Sequence, residues 1–362
     1  MEHKRTIVLT GGGSAGHVIP NIALIPQLVK EGWSIAYLGS ISGIEREIVE
    51  SLDNSAVQYY PISTGKLRRY IDMKNLKDPF RVLRGVAQSY RLLRKIRPAV
   101  IFSKGGFVSV PVIIGSWLNR IPVIIHESDM TPGLANRISI PFASKVCVTF
   151  PETLKHLPKH KAEYTGSPIR ADIVRGQANK GKERCGFHSQ LPILMVMGGS
   201  LGSQSINRKI RDSLNVLLPQ FQIIHICGKG NVDEQYKDTI GYRQFEYINE
   251  GLPDILAMVD IVVSRAGANS IFEFLALKKP MLLIPLSLQA SRGDQILNAQ
   301  SFERMGYCRV LYEEDISQST LYQAIIDIYD DRSSYVTRME QSITTQSVNH
   351  IIKLIEHYAS KS

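Results

Sequence analysis

Short apolar runs that end in glycine, serine or another turn former recur along the chain, and they alternate with stretches whose apolar residues repeat at helical spacing. In the first half Ile7–Thr10, Ser34–Leu38, Ala99–Ser103, Pro122–His126 and Val146–Thr149 read as strands, while Pro20–Glu31, Arg46–Leu52 and residues 80–97 read as helices. The rhythm restarts at Ile193–Met197 and continues through Gln222–Cys227, Phe245–Tyr247, Asp260–Ser264 and Pro280–Pro285. Apolar strands separated by helices are the pattern of a parallel sheet covered on both faces. The turn-rich, polar stretch 165–192 predicts a linker, and Thr337–Tyr358 reads as a helix with Ile343, Ile351, Ile352 and Ile355 as its apolar positions.

Two of these strands run into similar turns. Ile7–Thr10 leads into Gly11-Gly12-Gly13-Ser14-Ala15-Gly16-His17, and Ile193–Met197 into Gly198-Gly199-Ser200-Leu201-Gly202-Ser203. A strand, a glycine turn and a helix start aim backbone N–H groups at one spot, which favours an anion and above all phosphate. One such turn near the start of each half predicts twin nucleotide-binding-type domains facing a shared cleft. Gly11, Gly13 and Gly16 also satisfy the dinucleotide fingerprint, which needs an acid at the end of the second strand for the ribose. That strand ends Leu38-Gly39-Ser40, with no acid before Glu45. Dinucleotide binding loses support, a tight turn without a ligand stays open, and no Walker sequence occurs.

His17 follows the first turn and is expected in the first turn of a helix, whose positive end disfavours imidazolium and leaves a ring able to accept a proton. Lys104-Gly105-Gly106-Phe107-Val108-Ser109 forms a third glycine turn, which brings backbone close to a ligand or is simply tight. His126-Glu127-Ser128-Asp129 stands at a strand's C-terminal end, where ligands of open α/β sheets collect. In the second half Arg265-Ala266-Gly267-Ala268-Asn269-Ser270 leads into a helix bearing Glu273, which suits a ribose diol or a helix start. Asp294-Gln295-Ile296-Leu297-Asn298-Ala299 offers amides and a carboxylate to sugar hydroxyls. No Asp-x-Asp occurs, which argues against sugar transfer clamped by Mg²⁺ or Mn²⁺.

Length and composition change this picture little. The 362 residues suffice for two domains, and 44% hydrophobic with 21% charged residues is the composition of a globular protein. Met1-Glu2-His3-Lys4-Arg5 leads straight into a strand-like run, so no signal peptide is expected, and the apolar window Phe107–Leu118 is too short to span a bilayer. Cys147, Cys185, Cys227 and Cys308 are scattered, as expected of reduced cytosolic thiols, with little support for a zinc site. The net charge of +10 is concentrated in residues 66–97, where Lys66, Arg68, Arg69, Arg81 and Arg84 are among the basic positions. On a helix over 80–97, Arg81, Arg84, Arg91 and Lys95 share one face, with Leu83, Val86, Tyr90 and Leu93 opposite and toward a core. This is a solvated face or a surface for anionic headgroups; basic and apolar residues mixed over Leu67–Leu76 suit an interface, and no nucleic-acid-binding motif occurs.

Taken together, Gly-Gly-Gly-Ser-Ala-Gly-His-Val (11–18), Lys-Gly-Gly-Phe-Val-Ser (104–109), His126-Glu127 with Gly133-Leu134-Ala135-Asn136, Gly166-Ser167-Pro168-Ile169-Arg170, Gly-Gly-Ser-Leu-Gly-Ser (198–203), Ser264-Arg265-Ala266-Gly267-Ala268 and Gln295 with Asn298-Ala299 resemble the MurG family, glycosyltransferase family 28. The resemblance runs nearly end to end. It implies a GT-B fold, α/β, with two Rossmann-like parallel-sheet domains, 1–164 and 165–339, and a C-terminal helix (340–362) returning to the first.

It further implies a metal-independent, inverting N-acetylglucosaminyltransferase of peptidoglycan synthesis without a cofactor. Its substrates would be UDP-N-acetylglucosamine and the undecaprenyl-linked muramyl-pentapeptide. It would act at the cytoplasmic face of the membrane, with anionic inner-leaflet lipids and cell-wall synthesis or division proteins as partners. His17, from its place after the first glycine turn, would be the base, and Ser14, Ala15, Gly16, Asp129, Arg170, Ser200, Ile248, Glu273, Asp294 and Gln295 would bind the donor. Gly12, Gly13, Gly105 and Gly106 meet the acceptor pyrophosphate, and Lys66, Arg68, Arg69, Arg81 and Arg84 dock on the membrane. The family commonly carries asparagine where Asp129 stands, and often a second amide where Asp294 stands. A GT-B enzyme with another acceptor, or an inactive sugar-nucleotide-binding paralogue, are the alternatives.

Overall fold

The strand signals become two separate parallel sheets. A computed structural model describes residues 5–52, 55–65, 78–199, 202–248, 250–288, 293–342 and 346–361. The first sheet contains β1 (Thr6–Thr10), β2 (Ser34–Ser40), β3 (Val57–Ile62), β4 (Val100–Ser103), β5 (Val123–Glu127), β6 (Lys145–Val148) and β7 (Ala162–Tyr164), in the order β3-β2-β1-β4-β5-β6-β7. The second contains β8 (Ile193–Met197), β9 (Gln222–Ile226), β10 (Tyr242–Phe245), β11 (Ile261–Ser264), β12 (Met281–Leu283) and β13 (Cys308–Val310), in the order β10-β9-β8-β11-β12-β13. In each sheet the order reverses beside the strand that feeds a glycine turn, with Leu9 paired to both Tyr37 and Phe102, and Val196 to both His225 and Val263. Such a switch point leaves a crevice at the strands' C-terminal ends.

By their contacts the residues form two units, Met1–Arg170 with Ile343–Ser362, and Ala171–Ser342. In the first, the helix Ile19–Lys30 presses Leu24, Ile25 and Leu28 onto one face of the sheet, together with Ile351, Ile352 and Ile355 of the helix Ser347–Ala359. The other face receives Leu93, Val112, Ile113 and Leu157. In the second unit Ile206, Ile210, Leu214 and Leu217 join Ile325 and Ile328 over β8, β9 and β11. Full burial of each aliphatic side chain contributes about 1.5–3 kcal/mol, which is why the apolar runs mark the sheets.

Several expectations are corrected. The run 165–192 is not a free linker: Ile173 is buried and the helix Ala178–Cys185 packs on the helix Leu252–Met258 within the second unit. The strand expected at Phe245–Tyr247 lies at Tyr242–Phe245. The single tail helix is instead two, Arg332–Glu340 and Ser347–Ala359.

The basic helix spans Asp78–Ile96, but Leu83 is 65% exposed rather than turned to the core. Gly85, Ser89 and Leu93 form the buried line instead, because the neighbouring helix Ser109–Leu118 crosses close against them. A Cβ on Gly85 would lie 2.1 Å from the Ser63 carbonyl oxygen, so no side chain fits there.

Candidate active site

In the first unit, the turn after β1 is held from beneath by a carboxylate. Glu45 is fully buried and accepts from the N–H of Gly13 at 3.1 Å, from the N–H of Ser40 at 3.0 Å and from the Ser40 hydroxyl. Burial pushes its pKa up, but these hydrogen bonds outweigh it and hold the group below the usual carboxylate range. Asn21 closes the turn from the other side, donating to Thr10 and Tyr37, while the Tyr37 hydroxyl donates to the Gly11 carbonyl. Gly12, Gly13, Ser14, Ala15 and Gly16 therefore form one short braced loop.

His17 ends a 3-10 turn, Ala15–His17, just before the helix Ile19–Lys30 rather than within its first turn. It is half-buried, and its Nδ1 is buried without a hydrogen-bond partner. Burial, then the nearby charge of Lys104, lower its pKa to about 4, so the ring is neutral at physiological pH. The expected state holds, with a different main cause.

The turn after β4 abuts this one. Gly106 has φ +80°, and a Cβ there would lie 2.2 Å from the Gly12 carbonyl oxygen and 3.2 Å from Cδ2 of His17. Gly105 is backed by Asn136, whose amide donates to Glu127 at 2.8 Å. Glu127 also accepts from the N–H groups of Asp129 and Gly133, which fixes the loop after β5. His126 donates from Nε2 to the Gly166 carbonyl at 2.9 Å and accepts at Nδ1 from Lys104 at 2.8 Å; burial holds its pKa well below the ordinary value. The structure thus brings Gly12, Gly13, Gly105, Gly106 and His17 together, with Asp129 on the adjoining loop. Arg170 is the last residue of this unit's main segment and is partly exposed.

In the second unit Arg265 is the organising group. Only 6% exposed, it donates to the Ser203 hydroxyl at 2.8 Å, to the carbonyls of Ile284 and Pro285 and to Glu313 at 2.7 Å, joining the turns after β8, β11, β12 and β13. That bond is the first cause of the lowered Glu313 pKa. Ser203 caps the helix Gln204–Asp212. Asn298 donates to the Ala266 carbonyl, and Gln295 accepts from the Leu286 N–H at 3.2 Å. Asp294 and Gln295 open the helix Asp294–Arg304, Glu273 lies partly exposed on the helix Ala268–Ala276, and Ile248 follows β10. Ser200, Lys66, Arg68 and Arg69 lie outside the described residues. Arg81 and Arg84 are exposed on the helix Asp78–Ile96, beside Phe80 at 74% and Leu83 at 65%.

Residue patterns alone gave no role to Glu45, Lys104 or Arg265. Their partners come from separate strands, and the one available signal was an ionisable residue standing next to a glycine turn.

Two segments of the chain match known family descriptions. The glycosyltransferase family 28 N-terminal domain matches residues 7–148, and the family's C-terminal domain matches residues 193–355. The chain belongs to glycosyltransferase family 28. A UDP-N-acetylglucosamine–N-acetylmuramyl-(pentapeptide) pyrophosphoryl-undecaprenol N-acetylglucosamine transferase of Geobacillus thermodenitrificans is 58% identical over 356 residues, covering 98% of this chain and 99% of the relative. The Bacillus cereus protein named as transferase 2 of the same description is 55% identical, covering 97% and 99%. Among solved structures, Acinetobacter baumannii MurG superposes with a TM-score of 0.76 at 21% identity, covering 98% of this chain and 99% of that one. The glycosyltransferase of kitacinnamycin gives 0.73 at 15%, with the same coverage. These structures share the GT-B fold.

Proposed function

We propose that this hexosyltransferase moves N-acetylglucosamine from UDP-N-acetylglucosamine to the 4-hydroxyl of undecaprenyl-pyrophosphoryl-N-acetylmuramyl-pentapeptide, the lipid I to lipid II step of peptidoglycan synthesis. The observation that carries the mechanism is a neutral, half-buried His17 packed against two glycine turns. Because Nδ1 is buried, Nε2 is the nitrogen left to meet a substrate hydroxyl. His17 takes the proton as the muramyl O4 attacks C1 of the donor sugar, the C1–O bond to UDP breaks, and the new β-1,4 link has inverted configuration.

The departing diphosphate carries the charge that the second unit is built to receive. Its glycine turn starts a helix, and Arg265 braces that turn through Ser203. Glu273 binds the ribose, Ile248 the uracil, and Asp294 and Gln295 the sugar. Ser14, Ala15, Gly16, Asp129 and Arg170 complete the donor contacts, and Gly12, Gly13, Gly105 and Gly106 meet the acceptor.

Among the described residues no helix is long and apolar enough to cross a membrane. The exposed group of Phe80, Leu83, Arg81 and Arg84 pairs apolar with cationic side chains, which suits docking on an anionic bilayer. Purified protein with UDP-N-acetylglucosamine and the lipid-linked muramyl acceptor should give the β-1,4 disaccharide lipid. No such product, or equal turnover with an unrelated acceptor, overturns the reading.

A further inference from the structure

Lysine is almost never fully buried unless paired with an opposite charge, and an isolated ammonium in a protein interior is costly. Lys104 is 1% exposed, yet its Nζ donates to two neutral acceptors, Nδ1 of His126 and Oγ of Ser128. The buried carboxylate nearby, Glu127, is already engaged by Asp129 N–H, Gly133 N–H and Asn136. Glu127 and Asp129 act on the ammonium through space and raise its pKa, against a larger effect of burial that takes it down to about 8. The remaining ionisable neighbours of Lys104 are His17 on the β1 side and Cys147 of β6, and Glu45 acts on His17 in turn, in the direction opposite to Lys104. Lys104 is also the residue just before Gly105-Gly106, so its backbone enters the turn that presses on His17.

We infer that Lys104 is a positioning residue for the transfer reaction, clamping the start of the β5 loop at Ser128 to the glycine turn that abuts His17, and balancing the carboxylates of Glu127 and Asp129. The inference rests on His17 being the base. Two consequences follow from the geometry. The clamp holds His126 as an acceptor at Nδ1, so that Nε2–H stays on Gly166 and the loops after β4, β5 and β7 keep one register. The positive charge also opposes protonation of His17, which keeps the base available in acid.

The test is Lys104→Met, which keeps an unbranched stem and removes the ammonium. Its kcat should fall by about 10-fold or more, as expected of a displaced reactive group, and the acidic limb of the kcat/KM profile should rise by about half a pH unit or more. Ser128→Ala, which keeps the charge and deletes one hydroxyl, covers the case in which Lys104→Met does not fold. It should lower kcat by a few-fold, with the acidic limb unmoved. A wild-type rate and limb in Lys104→Met, or an unchanged kcat in Ser128→Ala, overturns the inference. His17→Ala run alongside separates the two readings: normal turnover there defeats the base assignment, whereas a dead His17→Ala beside a wild-type Lys104→Met defeats only the role of Lys104.

Discussion

The two glycine turns follow the first strands of their sheets, each where strand order reverses, and they are braced by opposite charges. After β1 the brace is an anion: the Glu45 carboxylate accepts from the Gly13 N–H. After β8 the brace is a cation: Arg265 holds Ser203 and is itself balanced by Glu313. The same strand-turn-helix plan therefore gives a loop shaped by an internal carboxylate beside His17, and a loop with a guanidinium beneath it. A shared fold element does not carry a shared ligand; the side chain that fills its underside decides what the turn can accept.

The comparison can be broken most sharply at His17. His17→Ala should lower kcat by about 10²–10⁴-fold while leaving KM for the donor nearly unchanged, measured by steady-state transfer to the lipid acceptor. A rise in donor KM with kcat intact would move His17 to the binding side. Glu45→Gln should destabilise the protein by about 1–3 kcal/mol in thermal or urea unfolding, because buried N–H groups lose a charged acceptor.

The pH dependence of that loss follows from the lowered Glu45 pKa. Its contribution is complete above the unfolded-state value and is lost as pH falls through the folded one, so the variant should show a flatter acid dependence than wild type. On the other turn, Arg265→Lys keeps the charge but not the fork that reaches Ser203, Glu313 and two carbonyls at once. Donor KM should rise by about 10-fold, as one or two lost charge-assisted bonds imply, and kcat should fall less than in His17→Ala, because the same turn meets the departing diphosphate. Equal effects on donor and acceptor KM would erase the asymmetry. The smallest expected effect is that of EDTA, which should leave the rate unchanged if the diphosphate is met by protein groups rather than by a metal; loss of turnover would reverse that assignment.

The central strands were legible in the sequence because both faces are covered, so β1, β4, β5, β8 and β11 are uninterrupted apolar runs. The strands that the apolar pattern does not mark, β3, β7 and β13, are all sheet edges. Pro61 interrupts β3, and β7 and β13 are three residues each, so neither length nor pattern announces them. Leu83 departs from the helical pattern for a related reason. Helical spacing predicts which residues share a face, while the small Gly85 and Ser89 decide which face a neighbouring helix can approach. At the site the glycine turns were visible as sequence, but Glu45, Lys104 and Arg265 acquire their meaning from partners 5 to 62 positions away.

The helix Ser347–Ala359 gives the chain an order of completion. Its Ile351, Ile352 and Ile355 fill the same layer as Leu24 and Leu28, although more than three hundred residues of synthesis separate them. At a ribosomal rate of about 5–20 residues per second, the first-made half waits on the order of tens of seconds for its last layer, while the second unit already has all of its own residues. The half that bears His17 is therefore completed only after the second unit's own residues have been made, and loss of residues 347–359 should leave the second unit's core whole while uncovering Leu24 and Leu28.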